Sequence, residues 1–289
     1  MHERWLAPLR GVTIRAFRET YAAEIREAGF VGAYAPFIPA NLGMKFNDRT
    51  FADLRPFPCE RKGESSDIPL VPQAIGKHPG ALREMLKALK DRGFTQVDLN
   101  AGCPFPMIRK KGRGSGLLAT PDVLERMLET GCDEMGSGRF SLKTRLGLER
   151  PDELLAILPM IDRYPLARLI VHARTARQMY SGECVTAILA AVAAASANPV
   201  LPNGDIPVDG FGMIGRSFIR SLGAMADASA RLAEYIARSQ EELCGDAPVL
   251  GRIKELVSYW SDIRPWNRVW PVIKLARTID ELEVALPRQ

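Results

Sequence analysis

Cys103 stands in the segment DLNAGCPFPMIRKKGRGSG (98–116), after a short apolar run and before a proline-bounded turn that opens into a basic, glycine-containing loop. A structural cysteine belongs inside an apolar stretch, whereas a thiol at a strand end faces an opening. With a reference pKa of about 8.5 it is mostly protonated at neutral pH and can act as a proton donor as well as a nucleophile. The loop that follows, with Arg109, Lys110, Lys111 and Arg113, suits a lid that touches phosphates through charge and backbone N–H groups, and equally suits a solvated turn. A lysine inside FSLKTRL (140–146) and a histidine inside RLIVHA (168–173) are costly in buried strands that have no use for them. PNGDI (202–206) and MIGRS (213–217) add glycines and an arginine of the kind that holds a phosphate group.

These residues need a scaffold that brings them together, and the chain supplies one. Short apolar segments recur at WLAPL (5–9), VGAYAPFI (31–38), IPLVPQAI (68–75), QVDLN (96–100), FSLKTRL, RLIVHA, NPVLPNGDI (198–206) and GFGMIG (210–215). Amphipathic stretches separate several of them, such as the one carrying Leu82, Met85, Leu86 and Leu89 on one face. Strand alternating with helix implies a parallel sheet, and eight repeats imply an α/β fold, a closed (β/α)8 TIM barrel. Chemistry in such barrels sits at the C-terminal strand ends, where Gln73, Asn100, Lys143, His172, Asn203, Asp205 and Arg216 fall. After about residue 223 the pattern is helical only, with Leu250, Ile253, Leu256, Val257 and Trp260 as one stripe. The expected division is a catalytic barrel over 1–223 and a small helical domain over 224–289, its helices broken at 245–248 and 264–265.

Composition narrows the class. The 289 residues are 46% apolar and 25% charged, ordinary for a globular chain, with no run long enough to span a membrane and no signal-peptide pattern, so the chain reads as cytosolic. Five scattered cysteines (Cys59, Cys103, Cys132, Cys184, Cys244) and three histidines suggest neither disulfides nor a metal site. A net charge of +5 and a pI near 9.0 favour a polyanionic partner.

Taken together the motifs resemble the tRNA-dihydrouridine synthases. APLRGVT (7–13), NAGCP (100–104), LKTRLG (142–147), VHARTARQMYSG (171–182), NGDI and MIGR occur in that family's order, and the resemblance spans roughly residues 5–220. The helical tail, especially RIKELVSYW (252–260), is similar to the bacterial class that modifies uridine 16. The resemblance implies FMN as cofactor and NADPH or NADH as reductant, with tRNA as partner and the protein a monomer. It places Pro8, Leu9 and Arg10 against the flavin ring, Gln73 at its polar edge, Lys143 near N1 and O2, and His172 beside it. Asn203, Gly204, Asp205, Gly215 and Arg216 would hold the ribityl chain and phosphate. Asn100 would position the uracil, and Arg109, Lys110, Lys111, Arg113 and Arg174 would contact RNA. Hydride would pass to C6 of an unstacked uracil while Cys103 protonates C5.

The pattern is departed from in two places. About nine residues separate Asp205 from Gly215, where a full crossover helix is expected, so either the ring breaks there or residues are absent. Arg10 also replaces a small or acidic residue. A flavin barrel of the dihydroorotate-dehydrogenase type, or a non-catalytic RNA-binding relative, are the rival readings.

Overall fold

The computed structural model describes residues 3–54 and 68–286, so Cys59 lies outside the described residues. Along the described chain, β1 (Arg4–Leu6) is followed by α1 (Arg15–Thr20), α2 (Ala22–Glu27), β2 (Gly32–Tyr34) and a short β3 (Ile38–Ala40). Next come β4 (Leu70–Val71), β5 (Gln73–Gly76), α3 (Pro79–Lys90), β6 (Val97–Ala101), α4 (Pro106–Arg109) and α5 (Pro121–Met135). The second half runs β7 (Phe140–Gly147), α6 (Glu153–Ile161), β8 (Arg168–Thr175), α7 (Thr186–Ala195), β9 (Val200–Asn203), β10 (Gly212–Ile214) and α8 (Arg216–Gly223).

All pairings are parallel, and the chain run from β4 to β5 joins their two ends into a ring. β4 pairs with β2 and β5 pairs with β6, yet β4 and β5 are one run of chain interrupted at Pro72, which has no N–H to give a ladder. Counting that run once, the eight apolar segments read from the sequence are the eight staves of a (β/α)8 barrel, with β3 added beside β5. Inside the ring Trp5, Tyr34, Val71, Ile170, Leu201 and Met213 pack as one cluster, contributed by six different strands. Between sheet and helices, Leu82, Met85, Leu86 and Leu89 of α3 are fully buried, as their spacing requires.

The short connection after β9 does not break the ring. A parallel crossover is long because the chain must usually travel back along a whole strand. Here Met213 of β10 lies opposite Asn203, the last residue of β9, so the chain descends only to the level of Pro202 before rising again. Residues 204–211 make that tight reversal with left-handed backbone at Gly204 (φ 108°) and Asp205 (φ 48°). Arg4 braces it by donating to the carbonyls of Asp209 and Gly210. No helix covers this stave among the described residues, and α7 beside it buries only Val192 fully.

The tail consists of α9 (Ala228–Glu242), α10 (Asp246–Ser258), α11 (Trp266–Leu275) and α12 (Ile279–Ala285). The expected break at 245–248 falls slightly earlier, because Pro248 sits in the first turn of α10, where a missing N–H costs nothing. The stripe from Leu250 to Trp260 is buried and belongs to one apolar cluster with Leu6, Phe17, Ile25, Phe218 and Ile219 of the barrel. Trp260 and Trp266 donate their indole N–H groups to the carbonyls of Ile219 (2.7 Å) and Gly223 (2.8 Å). Because tail and barrel share this core, heating should give one cooperative unfolding transition in calorimetry, and Trp260→Ala should lower its midpoint by roughly 10 °C or more. Two separate transitions in the unsubstituted chain would show that 224–289 folds by itself.

Candidate active site

A cavity of about 890 Å³ opens at the C-terminal ends of the strands. Pro8, Leu9, Arg10, Asn100, Cys103, Lys143, His172, Arg174, Asn203, Gly204, Asp205, Gly215 and Arg216 all line it, so the ring gathers residues from four strands, β6 to β9, and from the segments that follow β1, β6, β9 and β10. Four more come from the tail side: Arg220 of α8 and Glu255, Ser258 and Tyr259 at the end of α10.

Cys103 is held by its neighbours on both sides. Asn100 Oδ1 accepts from the N–H of Gly102 (3.1 Å) and of Cys103 (2.9 Å), while the Cys103 carbonyl accepts from the backbone and hydroxyl of Ser115. Gly114 (φ 56°) packs so tightly that a Cβ there would stand 2.8 Å from that of Cys103. Burial of the thiol pushes its pKa upward, against the opposing pull of the Phe105 amide and of Arg145, Arg10 and Lys143. At neutral pH Cys103 is therefore a proton holder.

A chain of hydrogen bonds continues downward from Asn100. Its Nδ2 donates to Gln73 Oε1 (2.8 Å), Gln73 Nε2 donates to Asp98 Oδ2 (2.6 Å), and Ser141 donates to Asp98 Oδ1 (2.7 Å). Asp98 is completely buried, which pushes its carboxyl upward against the hydrogen bonds from Ser141 and Gln73 and the charge of Lys143. Gln73 is completely buried too, with one bond at each end of its amide, and lies beneath the cavity rather than on its wall.

Lys143 and His172 lie inside β7 and β8, not at their ends. Lys143 Nζ donates to Asn203 Oδ1 (2.8 Å), and burial together with the Arg145 charge pulls its pKa down. His172 is held neutral by burial and by Arg145, Lys143, Arg174 and Arg216 around it. Arg174 and Arg216 both donate to the carboxylate of Asp205, which they hold below the usual range. His172 Nδ1 and Arg174 Nη1 remain buried without a hydrogen-bond partner among the described residues.

The basic loop stays outside the cavity. Arg109 pairs with Glu149 at 3.7 Å, Lys110 and Lys111 are exposed, and Arg113 is half-buried. Of the expected RNA contacts only Arg174 lines the pocket, and its place is at the Asp205 end.

Arg145, Tyr180, Asp98 and Phe105 went unassigned in the sequence. Arg145 donates to the carbonyls of Gly102, Thr175 and Met179, clipping the cysteine turn to the segment after β8. Its signal was present: two residues after Lys143 in a strand, it must point to the same side. Glu255, Ser258 and Tyr259 carried no such signal, since their role depends on how the tail docks.

Fold and site thus define a (β/α)8 barrel whose mouth is a cationic cavity around a protonated thiol. The family pattern described as dihydrouridine synthase (Dus) matches residues 5–208, and the chain belongs to that family. A probable tRNA-dihydrouridine synthase of Staphylococcus epidermidis is 30% identical over 211 residues, covering 70% of this chain and 60% of the relative. A tRNA-dihydrouridine synthase B of Vibrio cholerae is 34% identical over 135 residues, 46% of this chain and 42% of the relative. The chain thus matches 60% or less of the length of these curated relatives. Superposition on morphinone reductase in complex with tetrahydroNAD gives a TM-score of 0.49 at 10% identity, over 76% of this chain and 84% of that one. The described residues contain no helix long and apolar enough to cross a membrane.

Raised by burial, the Cys103 thiol should be alkylated by iodoacetamide with a midpoint pH above that of a free cysteine thiol. A midpoint below 8, followed by mass spectrometry of the Cys103 peptide, would show the cations around it to outweigh burial.

Proposed function

We propose that this chain is a flavin-dependent, NAD(P)H-driven tRNA-dihydrouridine synthase that reduces the C5=C6 bond of uridine. It would act as a cytoplasmic monomer, with residues 1–223 carrying the chemistry and 224–289 contributing to the RNA-facing side. The single observation that carries the reading is the buried, protonated Cys103 facing a cavity that also holds Lys143 and a neutral His172.

The residues present fit FMN. The cavity lies within the roughly 300–1,000 Å³ of small-molecule sites. Gly215 caps α8, whose N-terminus opens into the cavity with Arg216 and Ser217, a site suited to a phosphate. Arg174 Nη1 and His172 Nδ1 supply buried polar atoms still to be satisfied. A carboxyl-bound Arg216 would exchange Asp205 for the phosphate or share itself between them. When bound, the flavin would supply a hydride whose electrons come from the nicotinamide nucleotide.

The chain's own residues do the rest. Pro8 and Leu9 give an apolar wall to a planar ring, and Lys143 offers a cation whose lowered pKa is restored by any negative atom set beside it. Cys103 holds its proton where a uracil entering from the mouth would need one at C5, because hydride arriving at C6 leaves negative charge at C5. Asn100 serves the site by fixing the Cys103 turn through its Oδ1, and it also faces the cavity.

The purified chain should be yellow, and Cys103→Ala should retain flavin and accept hydride from NADPH at the normal rate. Single-turnover reoxidation by unmodified tRNA should fall about a hundredfold or more. A Cys103→Ala enzyme that forms dihydrouridine at the wild-type rate removes the acid, and a colourless wild-type chain favours the non-catalytic rival. Lys143→Ala should lower flavin content or slow flavin reduction, measured by stopped-flow absorbance, and unchanged kinetics would take Lys143 out of the site.

A further inference from the structure

Two aromatic rings stand exposed at the mouth of the cavity. Phe105 is 41% exposed and Tyr180 is 43% exposed, with ring centroids 6.3 Å apart and planes tilted by 55°. The Phe105 backbone is held between Pro104 and Pro106, its carbonyl accepting from the N–H groups of Ile108 and Arg109 in α4. Tyr180 is fixed by cations: Arg145 lies 5.3 Å and Arg216 5.6 Å from its ring centroid. The pair thus stands on a fixed backbone at Phe105 and a cation-held ring at Tyr180.

Its surroundings identify the kind of molecule it faces. The cavity wall carries six cations (Arg10, Lys143, Arg145, Arg174, Arg216, Arg220) against two carboxylates (Asp205, Glu255). Lys110 and Lys111, five and six residues beyond Phe105, are exposed on the same connection. Exposed aromatic rings interleaved with basic residues take bases on their faces and phosphates on their charges, which is how unstacked nucleic acid is held. A uridine drawn into the cavity leaves its neighbours in the strand without a stacking partner on one side, at the rim where Phe105 and Tyr180 lie.

We propose that Phe105 and Tyr180 form a stacking platform for an RNA base adjacent to the uridine that enters the cavity. This rests on the reading of the chain as an RNA-modifying enzyme. Phe105 is the residue to change, because its ring touches Tyr180 alone among the described aromatic and cationic contacts, whereas Tyr180 also engages Arg145 and Arg216. The platform replaces the base–base stacking lost on extrusion, so its removal weakens binding without changing how many phosphates are neutralised.

The test is the affinity of an unmodified tRNA transcript, measured by fluorescence anisotropy over a series of salt concentrations with the flavin-loaded protein. Phe105→Ala should weaken binding about tenfold, with the slope of log Kd against log salt unchanged. Phe105→Tyr should keep the affinity, and Phe105→Leu, apolar but without a ring face, should lose it. The paired change of Lys110 and Lys111 to Ala should instead flatten the salt slope. Wild-type affinity in Phe105→Ala, or in Phe105→Leu, overturns the platform. A raised KM for NADPH in Phe105→Ala with unaltered tRNA binding would assign the rings to the dinucleotide and overturn it as well. Failure of the underlying reaction shows itself differently, as a wild-type chain that binds tRNA and forms no dihydrouridine, and the binding comparison stands in that case.

Discussion

Asp98, a buried carboxyl both of whose oxygens accept hydrogen bonds, governs the centre of this molecule. Asp98 has no solvent to turn to, so Gln73 must present its NH2 group to it. Gln73 then has only an oxygen to offer Asn100, which must answer with its own NH2 group, leaving Oδ1 for the amides of Gly102 and Cys103. At the far end those two N–H donors demand an acceptor. Donor meets acceptor at every link, and a satisfied buried network of this kind is stiff because reversing one amide would leave several groups unpaired. The position of the Cys103 turn is thus set from beneath, through Asn100, by Gln73 and Asp98, which do not line the cavity.

The same logic explains why the cavity can hold so many cations. Arg145 is nearly inaccessible, yet its guanidinium is spent on three backbone carbonyls and the face of Tyr180. Arg174 and Arg216 converge on Asp205. The wall still carries six cations against two carboxylates, and Lys143 and the N-terminus of α8 are where an anionic ligand would meet that charge. His172 contributes no charge, because a further cation among these would be unfavourable.

Much of this could be read from the chain. The strands were visible as apolar runs, since a parallel sheet covered on both faces needs little polar alternation, and Cys103, Lys143 and His172 were conspicuous because buried strands seldom carry such groups. Gln73 and Asn100 were visible as polar residues, but not as partners of one another, because that depends on the register of β5 against β6. The length of the connection after β9 was judged against a full-length strand, and β10 turned out to be three residues long. The tail's stripe announced burial without announcing against what, so Tyr259 and Glu255 could not be placed beside the barrel mouth before α10 was docked.

The seam between β9 and β10 has a thermodynamic meaning beyond its economy of chain. The two strands share a single residue pair, reinforced by Asn203 Nδ2 donating to the Met213 carbonyl (2.7 Å) and Ser217 donating to the Ile206 carbonyl (2.6 Å). Gly204 and Asp205 stand on one lip of that seam, Gly215 and Arg216 on the other. An anion gripped by both lips acts as a keystone, adding its own contacts to the weakest joint in the circumference. Since such an anion binds the closed ring and not the unfolded chain, its affinity is transmitted in full to the stability of the whole barrel, growing with the logarithm of its concentration.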